Sequence, residues 1–206
     1  SARQWTHEDR DIVTPANDLL YFCGWLNLAD GPATIRVPAL PDADRYLFCQ
    51  GVQIGKPAEA QEDEERGLQW RVNFAWIRDE CDRLIATNDR ARIVVIGSDA
   101  GFTGCYDEIY AETKARLHQY VRSKRLRTPR QQLVCIAPSV IEDGGMTLRR
   151  PDQDRLPAKR AAHPKGRFLW AVEVAKLVHY CLYVDAGYLS GIVIRLNGGA
   201  HTCSPS

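Results

Sequence analysis

The stretch IVVIGSDAGFTGCYDEIYAETK, residues 93–114, decides the fold of this chain. Its first four residues form a continuous apolar run, which is typical of a strand buried on both faces of a parallel sheet. Gly97 and Ser98 follow directly, so the serine is predicted to stand at the carboxyl end of that strand. Ligands of open α/β sheets bind beyond such strand ends. The stretch therefore predicts an α/β protein with a ligand site at Ser98.

Strand-like and helix-like segments alternate along the rest of the sequence. Apolar residues at helical spacing predict helices, and short apolar or β-branched runs predict strands. Strands separated by helices imply β-α-β crossovers, so we predict a doubly wound, Rossmann-like parallel sheet with helices on both faces. The predicted strands are 45–49, 93–96, 131–137 and 191–196, and the predicted helices are 59–88, 107–124 and 168–184.

The N-terminal part is predicted to be reduced. A helix beginning at Thr14-Pro15 and a short strand at 33–37 are its predicted elements. We expect one domain over 1–206, with a shortened, divergent part at 1–44 and the core at 45–199. Residues 144–166 are polar, basic and rich in Pro and Gly, which predicts a long loop with a functional role.

Bulk properties exclude several classes of protein. A net charge of +1 argues against a dedicated nucleic-acid binder. No apolar run is long enough to cross a membrane, and the polar start does not resemble a secretory signal, so a cytoplasmic location is expected. The seven cysteines are scattered and are predicted to be mostly small buried hydrophobes in a reducing compartment. The histidines show no metal-ligand spacing, so no metal is expected.

Tyr110 and Lys114 lie four residues apart and share one face of the predicted helix. A phenol has a pKa near 10, and a neighbouring ammonium is expected to lower it. The Ser98 hydroxyl could then hydrogen-bond a substrate oxygen while Tyr110 exchanges a proton with it. Tyr-x-x-x-Lys alone also arises by chance on amphipathic helices. The strand, the Gly-Ser pair and the interval of twelve residues from Ser98 to Tyr110 favour the functional interpretation.

Residues 93–114 resemble the active-site stretch of the short-chain dehydrogenases/reductases. RYLFCQG at 45–51 resembles the family's strand ending in Asn-Ala-Gly, and VNF at 72–74 resembles the helix that carries its catalytic asparagine. APSVI at 137–141 is similar to the Pro-Gly turn after the next strand, and GGMT at 144–147 to the segment where a threonine contacts the cofactor. The residues at 45–199 are therefore expected to form the family's core.

The resemblance implies hydride transfer between a nicotinamide and a carbonyl or hydroxyl group of a small-molecule substrate. It implies that Tyr110 is the acid/base, that Lys114 assists it and contacts the nicotinamide ribose, and that Ser98 binds the substrate oxygen. Asn73 would anchor a proton-relay water. The implied cofactor-binding positions are Gly51, Gly97, Lys114, Pro138 and Thr147.

The family's glycine-rich loop, Gly-x-x-x-Gly-x-Gly, is the main departure. Only Gly24 and Gly31 precede Gly51, so the backbone amides that approach a pyrophosphate are missing or rebuilt. Two interpretations stay open. NAD or NADP binds weakly or with help from another chain, or it is lost and the chain is a non-redox descendant. The descendant would be a cofactor-free isomerase or cyclase, or a partner subunit of a full-length homologue.

Two expectations concern partners. The basic residues within 149–167 lie where the family has its substrate loop and indicate either an anionic substrate or an ordinary solvated surface. The helices that carry Asn73 and Tyr110 commonly form a subunit interface in this family, which implies a homodimer or homotetramer. Phe74, Trp76, Ile77 and Leu117 would suit that interface, or they face their own core.

Overall fold

A computed structural model of the chain describes residues 43–150, 152–184 and 186–200. The predicted helix at Thr14-Pro15 and the predicted strand at 33–37 lie outside these residues, as does nearly all of the segment 1–44. Within the described part, no helix is long and apolar enough to span a membrane.

Four parallel strands form the sheet of the described residues, in the order β1-β2-β3-β4. The central strands β2 and β3 are apolar throughout their middle and are covered on both faces, as their continuous apolar runs predict. The predicted strands are confirmed to within one or two residues. Their bounds are Arg45–Phe48 (β1), Arg92–Ile96 (β2), Gln132–Pro138 (β3) and Ile192–Leu196 (β4).

The predicted strand 131–137 ends one residue too early, because β3 includes Pro138 as its last residue. Proline has no N–H to give to a ladder, but its carbonyl remains available. The Pro138 oxygen accepts the Asp99 N–H at 2.8 Å. Pro138 therefore extends the pairing of β3 and ties it to the turn at Ser98.

Seven α-helices lie within the described residues, and the three long predicted helical segments are confirmed. A continuous helical segment between β1 and β2 contains a π-helical turn at Arg71–Ala75 that separates α1 from α2. The bounds are Asp63–Trp70 (α1), Trp76–Thr87 (α2), Ala100–Thr103 (α3), Glu108–Ser123 (α4), Gly145–Leu148 (α5), Leu156–Ala161 (α6) and Ala171–Tyr183 (α7). The predicted long loop at 144–166 thus contains two short helices.

Helices cover both faces of the sheet, as predicted. On one face, α2 and α4 pack onto side chains of β1, β2 and β3, with Cys81, Leu84 and Val121 among the buried residues. On the other face, Val178 and Leu182 of α7 pack onto β2 and β3. Full burial of a large aliphatic side chain contributes about 1.5–3 kcal/mol. The sheet is therefore held by apolar packing on both sides, with its strand ends at one edge.

Ile77 and Leu117 are fully buried in the core between α2, α4 and the sheet. Their assignment to a subunit interface is therefore wrong. Phe74 and Trp76 are half-buried and pack against the same core, where the Trp76 ring meets Phe48 edge-on at 5.5 Å between centroids. All four residues therefore pack in or against the chain's own core. A homodimer or homotetramer stays a prediction.

Candidate active site

Tyr110 and Ser98 meet beside the carboxyl end of β2. Ser98 follows the last residues of that strand, and Tyr110 lies in the first turn of α4. Tyr110 is 8% exposed, and its phenol lies close enough to the Ser98 side chain for the serine to lower the pKa of the phenol. The Ser98 Oγ also accepts the Ala100 N–H at 3.2 Å. Two residues twelve positions apart thus form one polar pair, as the sequence predicts.

Burial sets the acidity of Tyr110. Removal of the phenol from water raises its pKa to about 12, although the Ser98 side chain acts in the opposite direction. The sequence led us to expect that Lys114 would lower this pKa. The Lys114 Nζ lies 5.8 Å from the centre of the Tyr110 ring, and its charge does not offset the loss of solvent. Tyr110 is therefore a protonated, neutral phenol at neutral pH, and burial makes it a weaker acid than an exposed tyrosine.

Lys114 lies one helical turn after Tyr110 and is 2% exposed. Its Nζ donates to the Ile96 carbonyl at 3.0 Å. Burial lowers the pKa of this ammonium to about 8. An ammonium has three N–H donors, and only the bond to Ile96 uses one of them within the described part of the chain. Lys114 thus has donors left for a bound molecule.

Asn73 is fully buried in the π-helical turn, where it holds the segment after β1. Its Oδ1 accepts the Val52 N–H at 2.9 Å, and its Nδ2 donates to the Val52 carbonyl at 2.8 Å and to Thr113 Oγ1 at 3.2 Å. Both amide hydrogens are therefore used. A π turn also leaves a carbonyl without its usual helical partner, and such turns occur often at functional sites. The role of Asn73 as anchor of a proton-relay water stays a prediction.

The implied cofactor-binding residues fall into two groups. Gly51 is exposed beyond β1, and a Cβ built on it would lie 3.3 Å from Met146 Cε and 3.7 Å from Lys114 Nζ. Thr147 follows Met146 in α5 and is buried. Gly97 and Pro138 lie inside the sheet, where their backbone groups bond to Ile136 and Asp99. Gly51 and Lys114 thus lie close together beside Met146, and Gly97 and Pro138 support the strand ends. Cofactor binding by Thr147 stays a prediction.

Sequence reasoning missed Asp107, His118 and Gln50. Asp107 precedes α4, and an aspartate in that position is a known N-cap signal. His118 lies two turns after Tyr110 on the same helix face, so the spacing of 110, 114 and 118 was visible. Gln50 has both ends of its amide buried with no hydrogen-bond partner in the described part of the chain. Nothing in the sequence indicated that state.

Proteins of known name share part of this sequence. A 3-oxoacyl-[acyl-carrier-protein] reductase, FabG, of Aquifex aeolicus (strain VF5) is 39% identical over 112 residues, which are 52% of this chain and 44% of that protein. A sorbitol-6-phosphate 2-dehydrogenase of Klebsiella pneumoniae is 31% identical over 128 residues, which are 53% of this chain and 47% of that protein. The chain spans less than half the length of these relatives.

Solved structures share the fold. A short-chain dehydrogenase/reductase of Brucella melitensis, described as a glucose/ribitol dehydrogenase, superposes with a TM-score of 0.70 at 24% identity. It covers 78% of this chain, and the match covers 66% of that structure. The described part of the chain therefore has the fold of a short-chain dehydrogenase/reductase. A second member, an oxidoreductase of Burkholderia thailandensis, gives a TM-score of 0.68 at 16% identity, over 79% of this chain and 66% of its own.

A different family matches the N-terminal segment. Residues 1–53 match a family described as a protein of unknown function (DUF1254). This match ends just after β1, and most of the matched residues lie outside the described part of the chain. Among the described residues, no group of three His, Cys, Asp or Glu side chains could hold a metal ion.

Proposed function

We propose that this chain is an oxidoreductase of the short-chain dehydrogenase/reductase type, which transfers hydride between a nicotinamide cofactor and a carbonyl or hydroxyl group. The observation that carries the proposal is the grouping of Tyr110 with Ser98 and Lys114, whose Nζ lies 5.8 Å from the centre of the Tyr110 ring. Tyr110 is the proposed acid/base, Ser98 the ligand of the substrate oxygen, and Lys114 the residue that supports both phenol and cofactor.

The residues near Gly51 fit the nicotinamide half of NAD or NADP. Gly51 lacks the side chain that would crowd Met146 and Lys114. The unused donors of Lys114 suit ribose hydroxyls, and the unpartnered amide of Gln50 offers a donor and an acceptor close by in sequence. The residues that would hold the adenine half are not among the described ones. We therefore propose a nicotinamide site whose second half is rebuilt or supplied by another chain.

Reduced NAD or NADP, when bound, would supply the hydride for the carbonyl carbon. Ser98 Oγ accepts the Ala100 N–H, and its hydroxyl hydrogen remains available to donate to the substrate oxygen. Tyr110 gives its phenolic proton to the same oxygen. The Lys114 ammonium then stabilises the phenolate that remains. A neutral phenol favours reduction of a carbonyl, since oxidation of an alcohol needs the phenolate first.

The substrate is proposed to be a small carbonyl compound, with an anionic group as the finer proposal. Four basic residues of the 149–167 segment are engaged in ion pairs, Arg150 and Lys159 with Asp152, Arg160 with Glu142, and Arg167 with Glu173. Arg149, Arg155 and Lys165 make no ion pair within the described part and are the residues available to an anion. Two named relatives act on an acyl-carrier-protein thioester and on a sugar phosphate.

The non-redox alternative is favoured by the absence of a Gly-x-x-x-Gly-x-Gly motif from the sequence. In that case the same Ser98, Tyr110 and Lys114 would exchange protons without a nicotinamide, as an isomerase or cyclase does, or the chain would act as the partner subunit of a full-length homologue. The two proposals differ in one measurable property, which is nicotinamide binding.

Calorimetric titration of the whole chain with NADH and with NADPH tests the proposal. We expect binding of at least one of them at sub-millimolar concentration, and weaker binding by Lys114→Met, which removes the ribose donors. The exposed variant Lys165→Met serves as the matched control and should bind as the unmodified protein does. Failure of both cofactors to bind at millimolar concentration would exclude the redox proposal and leave the non-redox one.

A further inference from the structure

His118 stands directly behind Ser98. It lies on α4 one turn after Lys114 and is 3% exposed. Its Nε2 is 3.4 Å from the backbone nitrogen of Ser98, in hydrogen-bond geometry. The imidazole therefore contacts the backbone of this residue and not its hydroxyl, so it does not activate Ser98 as a nucleophile.

The Ser98 N–H has no strand carbonyl to donate to, because the pairing of β1 with β2 ends before Ser98. Gly97 and Asp99 donate their N–H groups to Ile136 and Pro138 of β3, at 2.7 and 2.8 Å. Successive N–H groups of an extended chain point to opposite sides, so the Ser98 N–H points toward the β1 side. The last paired residue of β1 is Phe48, opposite Val95. No strand continues past Ser98 on that side, and His118 takes the place of a strand carbonyl.

Two glycines make room for this imidazole. A Cβ on Gly97 would lie 2.5 Å from His118 Nε2, and one on Gly101 would lie 2.6 Å from His118 Cε1. Real Cβ atoms do not approach other atoms so closely, and a buried ring packed on both sides has no room to move. The ring of Phe102 packs against the imidazole at 4.6 Å between centroids. The glycines of the Gly-Ser-Asp-Ala-Gly turn are thus explained by His118.

The charge and tautomer of His118 follow from these contacts. Because Nε2 accepts a hydrogen bond, the ring proton is on Nδ1, which is buried without a partner in the described part of the chain. Burial, and then the nearby Lys114 and Arg122, lower the pKa of the imidazole to about 4. His118 is therefore neutral at physiological pH and can act as an acceptor.

We propose that His118 is a positioning residue, which fixes the backbone at Ser98 so that the serine hydroxyl faces Tyr110. The Ser98 N–H donates to His118 Nε2, and the Ser98 Oγ accepts the Ala100 N–H. These two bonds fix the backbone of Ser98 and the position of its Oγ. The kinetic consequence of this role rests on the oxidoreductase function proposed above, whereas its structural consequence does not.

The structural test uses imidazole and amide nitrogen NMR spectra of the ¹⁵N-labelled protein. We expect His118 to be the Nδ1–H tautomer, and we expect the Ser98 amide hydrogen to exchange slowly. His118→Gln retains an acceptor near the position of Nε2 and should preserve slow exchange, whereas His118→Leu should accelerate it at least tenfold. The exposed His179→Gln is the control. An Nε2–H tautomer, or equal exchange in the Gln and Leu variants, would overturn the proposal whatever the enzyme's activity.

The kinetic test is a double-mutant cycle with Ser98→Ala. His118→Leu should lower kcat about tenfold to a hundredfold, the range expected when a catalytic group is misplaced, and His118→Gln should restore most of it. In the Ser98→Ala background, His118→Leu should change kcat less than twofold. Equal losses in both backgrounds would show that His118 acts on the fold in general and would refute its role through Ser98. Nicotinamide binding, measured on the same variants, reports separately on the proposed function.

Discussion

Asp107 accepts the backbone N–H of Tyr110 at 3.0 Å through its Oδ1. The same buried carboxylate accepts the Gly55 N–H at 2.9 Å through Oδ2, and the side chains of Gln61 and Gln69 also donate to it. Asp107 therefore caps the helix that carries the proposed acid and attaches the segment after β1 to it. The proposed proton exchange at Tyr110 thus depends on Asp107, which is not itself proposed to contact the substrate.

Replacement of Asp107 by alanine should destabilise the protein by about 2–4 kcal/mol, because the cap and three other buried donors lose their acceptor. Asp107→Asn should cost less, since one oxygen still accepts. Denaturant unfolding measures both changes. The exposed Asp89→Ala is the control and should change stability by less than about 0.5 kcal/mol. An Asp107→Ala change as small as that control would show that the carboxylate does not hold the two segments.

Lys114→Met should raise stability at neutral pH, even though it removes a proposed active-site residue. The folded pKa of Lys114, about 8, lies below the usual value of 10.5, so the ammonium destabilises the folded state at pH values below 8. This penalty is relieved as pH rises through the window from 8 to 10.5. After loss of the bond to Ile96, a net gain of about 1–3 kcal/mol is expected at pH 7. Unfolding at pH 7 and pH 10 checks the gain and its pH dependence, and a loss of stability in Lys114→Met at pH 7 would count against it.

His118 should make the protein sensitive to mild acid. The imidazole has a pKa of about 4 when folded and 6.5 as its ordinary value, so the unfolded chain binds the extra proton between these values. Stability is fully present above pH 6.5 and falls as pH decreases toward 4, by about 3 kcal/mol from this residue. His118→Gln should remove that part of the slope in unfolding measured from pH 4 to 7. The exposed His179→Gln is the control. If His118→Gln leaves the dependence of the unfolding free energy on pH unchanged, His118 is not a buried neutral imidazole.

Gly97→Ala and Gly101→Ala should each disturb the turn at Ser98, because the new methyl groups would overlap the His118 ring. Overpacking of this kind costs about 1–3 kcal/mol. Gly104→Ala separates backbone strain from steric overlap. Its φ of 75° strains an alanine, but no atom lies within 4 Å of the new methyl group. A Cβ on Gly101 would also lie 2.9 Å from the Ala115 backbone nitrogen, so we expect Gly101→Ala combined with His118→Ala to recover only part of the loss. If Gly101→Ala costs equally much with and without the imidazole in a double-mutant cycle, the imidazole is not the obstacle.

The sequence predicts the fold of the core because its signals are local. Continuous apolar runs such as 93–96 mark strands buried on both faces, and the four-residue spacing of Tyr110 and Lys114 places both on one helix face. Since the carboxyl ends of parallel strands lie at the same edge of a sheet, the sequence also predicts that Gly51 after β1 and Ser98 after β2 lie at one edge. These predictions need only the order of the elements.

Other properties depend on what covers a residue in three dimensions. Burial raises the pKa of Tyr110 where the helix spacing predicted a decrease. Ile77 and Leu117 are apolar residues on helices, and only the position of the sheet decides that they face the core. The contact of His118 with Ser98 joins residues twenty positions apart, so no local pattern announces it.

Proton donation by Tyr110 is tested most directly by comparing the unmodified chain with Tyr110→Phe, both saturated with the nicotinamide that binds. A 3-oxoacyl thioester serves as the carbonyl probe, and the nicotinamide absorbance reports turnover. Tyr110→Phe should bind the cofactor within twofold of the unmodified chain and lose turnover by about a hundredfold or more. Equal turnover by the two proteins would contradict the assignment of Tyr110 as the proton donor.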